Sequence, residues 1–285
     1  MFQIIGLVVV LASVVIGYTA EHGKLGVLWQ PTEFIIIGGA GLGSFLIANP
    51  PAVLKATMRS LLTLLKPSPF NKTSYGELLQ VLYEVFQTAR KDGLIALETH
   101  IEEPEKSTIF SKYQNFSHHH HALNFLCDTL KVLLTGAVED HHLAEILDVD
   151  LERMHEEEHQ VPSALAKVGD AMPGFGIVAA VLGVVITMAS IGGAASEIGE
   201  KVAAALVGTF LGILLAYGVF GPLSGALEAR QRGEAAYMSV IRTALLSFAR
   251  GDAPMTCVEF ARRSIEPGDR PSFSELEGLT RRKAA

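Results

Sequence analysis

Four stretches of this chain carry no Asp, Glu, Lys, Arg or His: Phe2–Ala20, Phe34–Asn49, Met172–Ala195 and Val202–Leu223. No other feature limits the fold so sharply. A helix needs about 20 apolar residues to cross a hydrocarbon core of roughly 30 Å. Three of the runs reach that length. The second is shorter and needs Pro50, Pro51 and Ala52 to do so. The mean hydropathy of +0.34 agrees with a membrane chain. The first run follows Met1-Phe2-Gln3, which lacks Lys and Arg, and a second apolar run comes soon after it. It therefore reads as a retained helix and not as a cleaved leader.

Charge placement gives a topology. Of the 23 Lys and Arg residues, 11 fall in 53–171 and 10 in 224–285. The short connections 21–33 and 196–201 hold only Lys24 and Lys201. Basic residues near helix ends stay in the cytoplasm. The expected fold is thus an all-α integral membrane protein with four transmembrane helices, a helical cytoplasmic domain between helices 2 and 3, and a cytoplasmic C-terminal tail. The domains are 1–52 (helices 1 and 2), 53–171 (cytoplasmic), 172–223 (helices 3 and 4) and 224–285 (tail). Both termini are expected in the cytoplasm. The net charge of −7 is spread without a nucleic-acid footprint, and Cys127 and Cys257 suggest no disulfide framework.

The polar segments carry helical periodicity. Leu78, Leu79, Leu82, Val85 and Phe86 recur at helical spacing within Tyr75–Ala89, and Asp92-Gly93 breaks or bends the chain. Leu94–Ile101 resumes, and Ala122–Leu147 reads as one further stretch. The tail offers Leu223–Phe248 and Cys257–Ile265.

Two motifs suggest metals. His155-Glu156-Glu157-Glu158-His159 fits H-E-x-x-H, but a zinc site needs a third ligand and a shaped pocket. It reads better as a solvated charged helix. The four imidazoles of His118–His121 point to different sides of any helix, so no metal site is expected there. The cluster Gly38-Gly39-Ala40-Gly41-Leu42-Gly43 lies in an apolar helix, where small residues let helices approach closely.

The apolar runs offer only mild polar groups: Thr19, Ser44, Thr187, Ser190, Thr209 and Tyr217. Ionisable residues within a membrane mark ion pathways. Their absence means that this chain moves no ion alone, or that a partner supplies the group. The last two runs are rich in Gly and Ala, with Gly208 and Gly212 forming G-x-x-x-G. Pro173 opens the third run and Pro222 closes the fourth, as boundary punctuation or as hinges.

Several runs resemble flagellar MotA proteins. Val168-Gly169-Asp170-Ala171-Met172-Pro173-Gly174-Phe175-Gly176 through Val185 is similar to their third membrane helix, and Val207-Gly208-Thr209-Phe210-Leu211-Gly212 through Gly218 to their fourth. Gly38 through Pro50 resembles the second, and Arg270-Pro271-Ser272-Phe273-Ser274-Glu275-Leu276-Glu277 a signature of the tail. The resemblance implies a stator subunit of the bacterial inner membrane, not an enzyme. Five such chains would ring two MotB-like helices that carry the ion-binding carboxylate. Pro173, Ala180, Thr209 and Pro222 would serve the ion pathway and its coupling. Ala89 through Glu98 resembles the segment facing the rotor protein FliG, with Arg90 and Glu98 at the matching positions. Sodium-driven relatives place a threonine where this chain has Ala180, so protons are the expected coupling ion and no cofactor is implied. The rival readings are a sodium-driven stator, an ExbB- or TolQ-type energiser, a passive scaffold or receptor, and a secondary transporter.

Overall fold

The computed structural model of the chain describes residues 2–136, 138–189, 192 and 194–281. Ser190 lies outside them. Among the described residues there are helices and no strands. Ten helices carry the architecture: α1 (Phe2–Ala20), α2 (Pro31–Ala48), α3 (Pro51–Thr63), α4 (Lys72–Asp92), α5 (His120–Leu134), α6 (Asp140–Met188), α7 (Ala195–Leu215), α8 (Gly221–Ala249), α9 (Pro254–Ser264) and α10 (Phe273–Arg281). Four stretches are long and apolar enough to cross a membrane: Phe2–Ala20, Leu25–Ala48, the apolar half of Asp140–Met188, and part of Ala195–Ala249. The expected count of four spans holds.

Their bounds differ from the apolar runs in instructive ways. α2 gains its length at its start, not its end. Pro31 occupies the first helical turn, where its missing N–H costs nothing, and a new helix begins at Pro51. α6 runs straight through Pro162 and Pro173, so Pro173 is an interior residue and not a start. A proline there leaves the Gly169 carbonyl without its helical donor. Beyond α7 the chain makes a π-helical turn, Ala216–Phe220, and Pro222 then stands in the first turn of α8.

The chain divides into two compact units, Met1–Pro67 with Glu157–Arg230, and Ser68–Glu156 with Gln231–Ala285. The first has a thin core. Ile37, Val168, Met172, Ala179, Leu211 and Ala216 form one cluster, and Leu64, Val161, Leu165 and Leu227 another. The Ser224 hydroxyl donates to the Pro162 carbonyl at 2.8 Å, and Arg230 donates to the Thr63 carbonyl at 2.8 Å. α1 has no buried residue at all. Ile177, Val181, Val185 and Ile186 of α6 and Leu206 of α7 are also exposed. Such faces suit lipid or other membrane helices and not water.

The second unit has a conventional core. Leu78, Leu79, Leu82, Val85 and Phe86 of α4 are all buried, as their spacing requires, against Leu126 and Leu130 of α5 and Ile241 and Leu245 of α8. Phe86 stacks on Phe248 with ring centroids 4.5 Å apart. The stretch expected as one helix over Ala122–Leu147 breaks after Leu134, where Gly136 takes φ +65°. α10 is a further helix that the periodicity left unread. Its start is a capping box: the Ser272 hydroxyl accepts from Glu275 N at 3.2 Å, and Glu275 Oε2 accepts from Ser272 N at 2.6 Å. Lys72 pairs with Glu275 at 2.8 Å, and Arg270 donates to the Ile265 and Arg263 carbonyls at 2.8 and 3.0 Å. The tail signature is therefore a clasp that fastens the last helix to α4.

α9 carries an acid-sensitive cluster. Glu259 accepts from Arg262 Nε at 2.7 Å and Nη2 at 2.8 Å, and from Arg263 Nε at 2.7 Å. The Arg262 hydrogen bonds chiefly, with Arg263, hold its carboxyl down at about 2. A depressed carboxylate stabilises the fold above its unfolded value, about 4.3, and that stabilisation fades as pH falls toward the folded value. Glu259→Gln should therefore lower the melting temperature at neutral pH and flatten its fall between about pH 4.3 and 2. Circular dichroism melts of the detergent-solubilised chain decide this, and an unchanged acid slope would refute it.

Candidate functional site at the glycine-lined helix crossing

Where α6 and α7 cross, backbone meets backbone. A Cβ placed on Gly212 would stand 2.6 Å from the Met172 carbonyl oxygen and 2.9 Å from Gly176 Cα. One placed on Gly176 would stand 2.8 Å from the Gly208 carbonyl oxygen and 3.3 Å from Thr209 Cα. Farther along, Gly183 meets Ala205, with a Cβ there 2.7 Å from that of Ala205. No side chain larger than the Ala205 methyl separates the two helices at these points. The small residues singled out in the sequence thus act in packing within the chain.

The residues expected on the ion pathway gather around this crossing in two groups. Ala180 N lies 3.3 Å from the point where a Gly208 Cβ would stand, so Ala180 and Thr209 share one level. Both are partly exposed. Pro173 follows Met172, whose carbonyl faces Gly212. Pro222 is exposed and sits beside Gly221, whose amide nitrogen lies 3.7 Å from a Cβ on Gly169. The two prolines thus belong to the same end of the helix pair, Pro173 within the crossing itself and Pro222 beyond the π turn that follows α7.

The four apolar runs hold no ionisable residue, the second of them beginning at Phe34. The structure corrects this. α2 starts at Pro31, so Glu33 is part of it, and it is 5% exposed. Its Oε2 lies 2.6 Å from the point where a Cβ on Gly208 would stand, beside Ala179 Cβ at 3.1 Å. That oxygen is buried and accepts no hydrogen bond. Pro31 followed by an acidic residue in the same first turn is a helix-start signal that the sequence did offer.

Arg90 and Glu98 lie in the second unit, and both side chains are exposed. Arg90 sits in the last turn of α4, and its Nη1 reaches the Gly251 carbonyl at 3.5 Å. Glu98 opens the short helix Glu98–Glu102. Between them Gly93 takes φ +86° and ψ +159°, a backbone region open essentially to glycine alone, and a 3-10 turn, Leu94–Leu97, follows. Leu97 and Ile101 anchor the segment in the core, while Ile95 stands 77% exposed.

Among the described residues of this unit, the exposed Glu139, His141 and His142 bring ligand atoms within 4.8 Å of one another, and neither motif singled out in the sequence contributes to that group. His118 bonds the Gln114 carbonyl, the His119 ring packs on Phe70 and Tyr237, and His121 pairs with Glu234. His155 and His159 both occupy exposed positions of α6.

Residues 4–93 match the model described as "Motility protein A N-terminal", and residues 111–240 match the MotA/TolQ/ExbB proton channel family. Motility protein A of Salmonella typhimurium is 41% identical over 97% of this chain and 94% of its own length. The chain belongs to the motility protein A family. Another relative, the chemotaxis protein LafT of Vibrio parahaemolyticus, is 36% identical over 97% of both chains. The fold is shared with a solved structure titled "Structure of C. jejuni MotAB", at a TM-score of 0.77 and 22% identity, over 95% of this chain and 98% of that one. Motility protein A chains are stator and proton-channel subunits, not enzymes, and this chain is a multi-pass membrane protein of that kind.

Proposed function

We propose that this chain is the ring-forming subunit of a proton-driven flagellar stator in the bacterial inner membrane, working with a MotB-like partner. The observation that carries the reading is the full-length match to motility protein A together with the glycine-lined α6–α7 crossing. Five copies around the partner's membrane helices would cover the exposed apolar faces of α6 and α7. The partner supplies the carboxylate that binds the coupling ion, and Ala180 and Thr209 line its path. Ala180 in place of a threonine favours protons over sodium. Repacking at the crossing then reaches Pro173 and Pro222. Basic residues cluster in 53–171 and 224–285, which supports a cytoplasmic place for those segments and for both termini. Their exposed Arg90 and Glu98 meet complementary charges on the rotor protein FliG, where they set register and orientation more than affinity.

Deletion of the gene in its own organism, with flagella counted in the same cells, tests this. The expected result is flagella that are present but paralysed. Rotation restored by the wild-type gene should collapse with a protonophore and ignore external sodium at constant total salt. Arg90→Glu with Glu98→Lys should restore it poorly. Normal swimming of the deletion strain, with no second stator set, would overturn the stator reading.

A further inference from the structure

One titratable group has no part in the scheme above. Glu33 is 5% exposed, its Oε2 accepts no hydrogen bond, and it points at the glycine that lets α2, α6 and α7 come together. Burying an acceptor without a donor is costly, and burying a bare charge is costlier. A proton on the free oxygen removes the charge. Nothing else at the crossing can. α6 is uncharged from Ala171 to Met188 and α7 from Val202 to Leu215, and Glu33 is the one ionisable residue of α2. On α7 the nearest are Glu200 and Lys201, the latter seven residues from Gly208 and so about 10 Å along the axis at 1.5 Å per residue. Glu21, His22 and Lys24 precede the short helix Leu25–Leu28, which packs on α7.

The surroundings give Glu33 a place on a route. Trp29, 71% exposed, lies in the non-helical link just before α2, and its ring is tilted on that of Phe34 with centroids 5.7 Å apart. Tryptophan favours the membrane–water boundary, which puts the start of α2, with Glu33 in its first turn, beside that boundary. Its Oε2 and the Ala180 amide nitrogen both lie within 3.3 Å of one point beside Gly208. The boundary marked by Trp29 on one side and the Ala180–Thr209 level on the other bracket the carboxyl.

We infer that Glu33 is a protonation site of this chain's own on the ion route: its free oxygen takes a proton from the boundary side and releases it at the Ala180–Thr209 level. The step is a proton transfer and nothing more. An O–H bond forms on the ionised carboxylate to give the neutral acid, then breaks as the proton passes to water or to the partner's carboxylate. The inference rests on the chain being a proton-driven stator subunit. A purely structural Glu33 would be replaced without loss by its amide isostere, whereas a transferring one would not.

Two arms test it. In the first, the purified full-length chain in lipid vesicles is taken between acid and alkaline buffer and followed by infrared difference spectroscopy. A carboxyl C=O band that comes and goes with pH, is absent from Glu33→Gln and moves in frequency in Glu33→Asp is expected. The same bands in wild type and Glu33→Gln would overturn the assignment. In the second, cells carrying each variant as the sole copy are scored for swimming speed against external pH, at matched membrane levels of the chain. Glu33→Gln should slow rotation on the order of tenfold or more, as loss of a proton-transferring group does, and Glu33→Asp should recover part of it. Wild-type speed in Glu33→Gln at every pH would overturn the transfer role. Should the wild-type gene itself fail to restore rotation, the stator reading falls while the infrared arm still decides whether Glu33 titrates.

Discussion

Gly212→Ala should abolish swimming and lower the amount of chain in the membrane, although it adds a single methyl group. The new Cβ would meet the Met172 carbonyl oxygen at 2.6 Å and Gly176 Cα at 2.9 Å. Both are backbone atoms of α6, so no rotamer change can make room. The helices must separate or shift along one another. Overpacking of a closed contact costs about 1–3 kcal/mol and sometimes more. Here the cost falls on a unit whose buried clusters are small. Parting the helices also disturbs the Ala180–Thr209 level and uncovers Glu33. Gly6→Ala is the control, because nothing lies within 4 Å of a Cβ there. Soft-agar swimming and membrane immunoblots measure both variants. Wild-type motility in Gly212→Ala would show that the crossing is looser than these distances state.

The second large effect is expected in the other unit. Phe86→Ala removes a ring with no exposed surface that stacks on Phe248. Burial of that size is worth about 3–5 kcal/mol when a large side chain is cut to alanine in a core. A domain of ordinary stability holds about 5–15 kcal/mol in all, so one such loss leaves little margin. The melting temperature of the solubilised chain should fall by several degrees, and limited proteolysis should begin in 68–156. Ile95→Ala, at an exposed position, should melt within experimental error of wild type. Equal melting of Phe86→Ala and wild type would mean that the Phe86 cavity is filled by its neighbours.

The sequence was most legible where one force dominates. Apolar length located the four spans, and 3.6-residue spacing picked out Leu78, Leu79, Leu82, Val85 and Phe86 as core. It was least legible at boundaries, where local and tertiary effects compete. Pro173 reads as a helix start, yet the packing of α6 along its length carries the helix through it. Ala122–Leu147 reads as one helix, yet α5 ends at Leu134 and Gly136 turns to a positive φ two residues later. α10 was hidden because its evidence is a capping box at Ser272 and Glu275, not a periodicity. Glu33 escaped for a related reason: a hydropathy count discards a charged residue at the edge of a run, and only the helix start at Pro31 brings it inside. Of the candidate site, Gly208, Gly212, Ala180 and Thr209 were readable. Their meeting with Glu33 was not, since no spacing in one helix reports what another presents.

Gly93 has a consequence for how this surface can change over time. Arg90 and Glu98 are exposed side chains on a rigid frame, and either can be exchanged for another polar residue with little effect on the fold. The backbone at φ +86° and ψ +159° between them admits glycine and almost nothing else. The fold thus leaves the two charges open to replacement, while the interval that separates them is locked by a residue with no side chain. A lineage can rewrite the chemistry of this edge. It cannot easily alter the spacing of the letters.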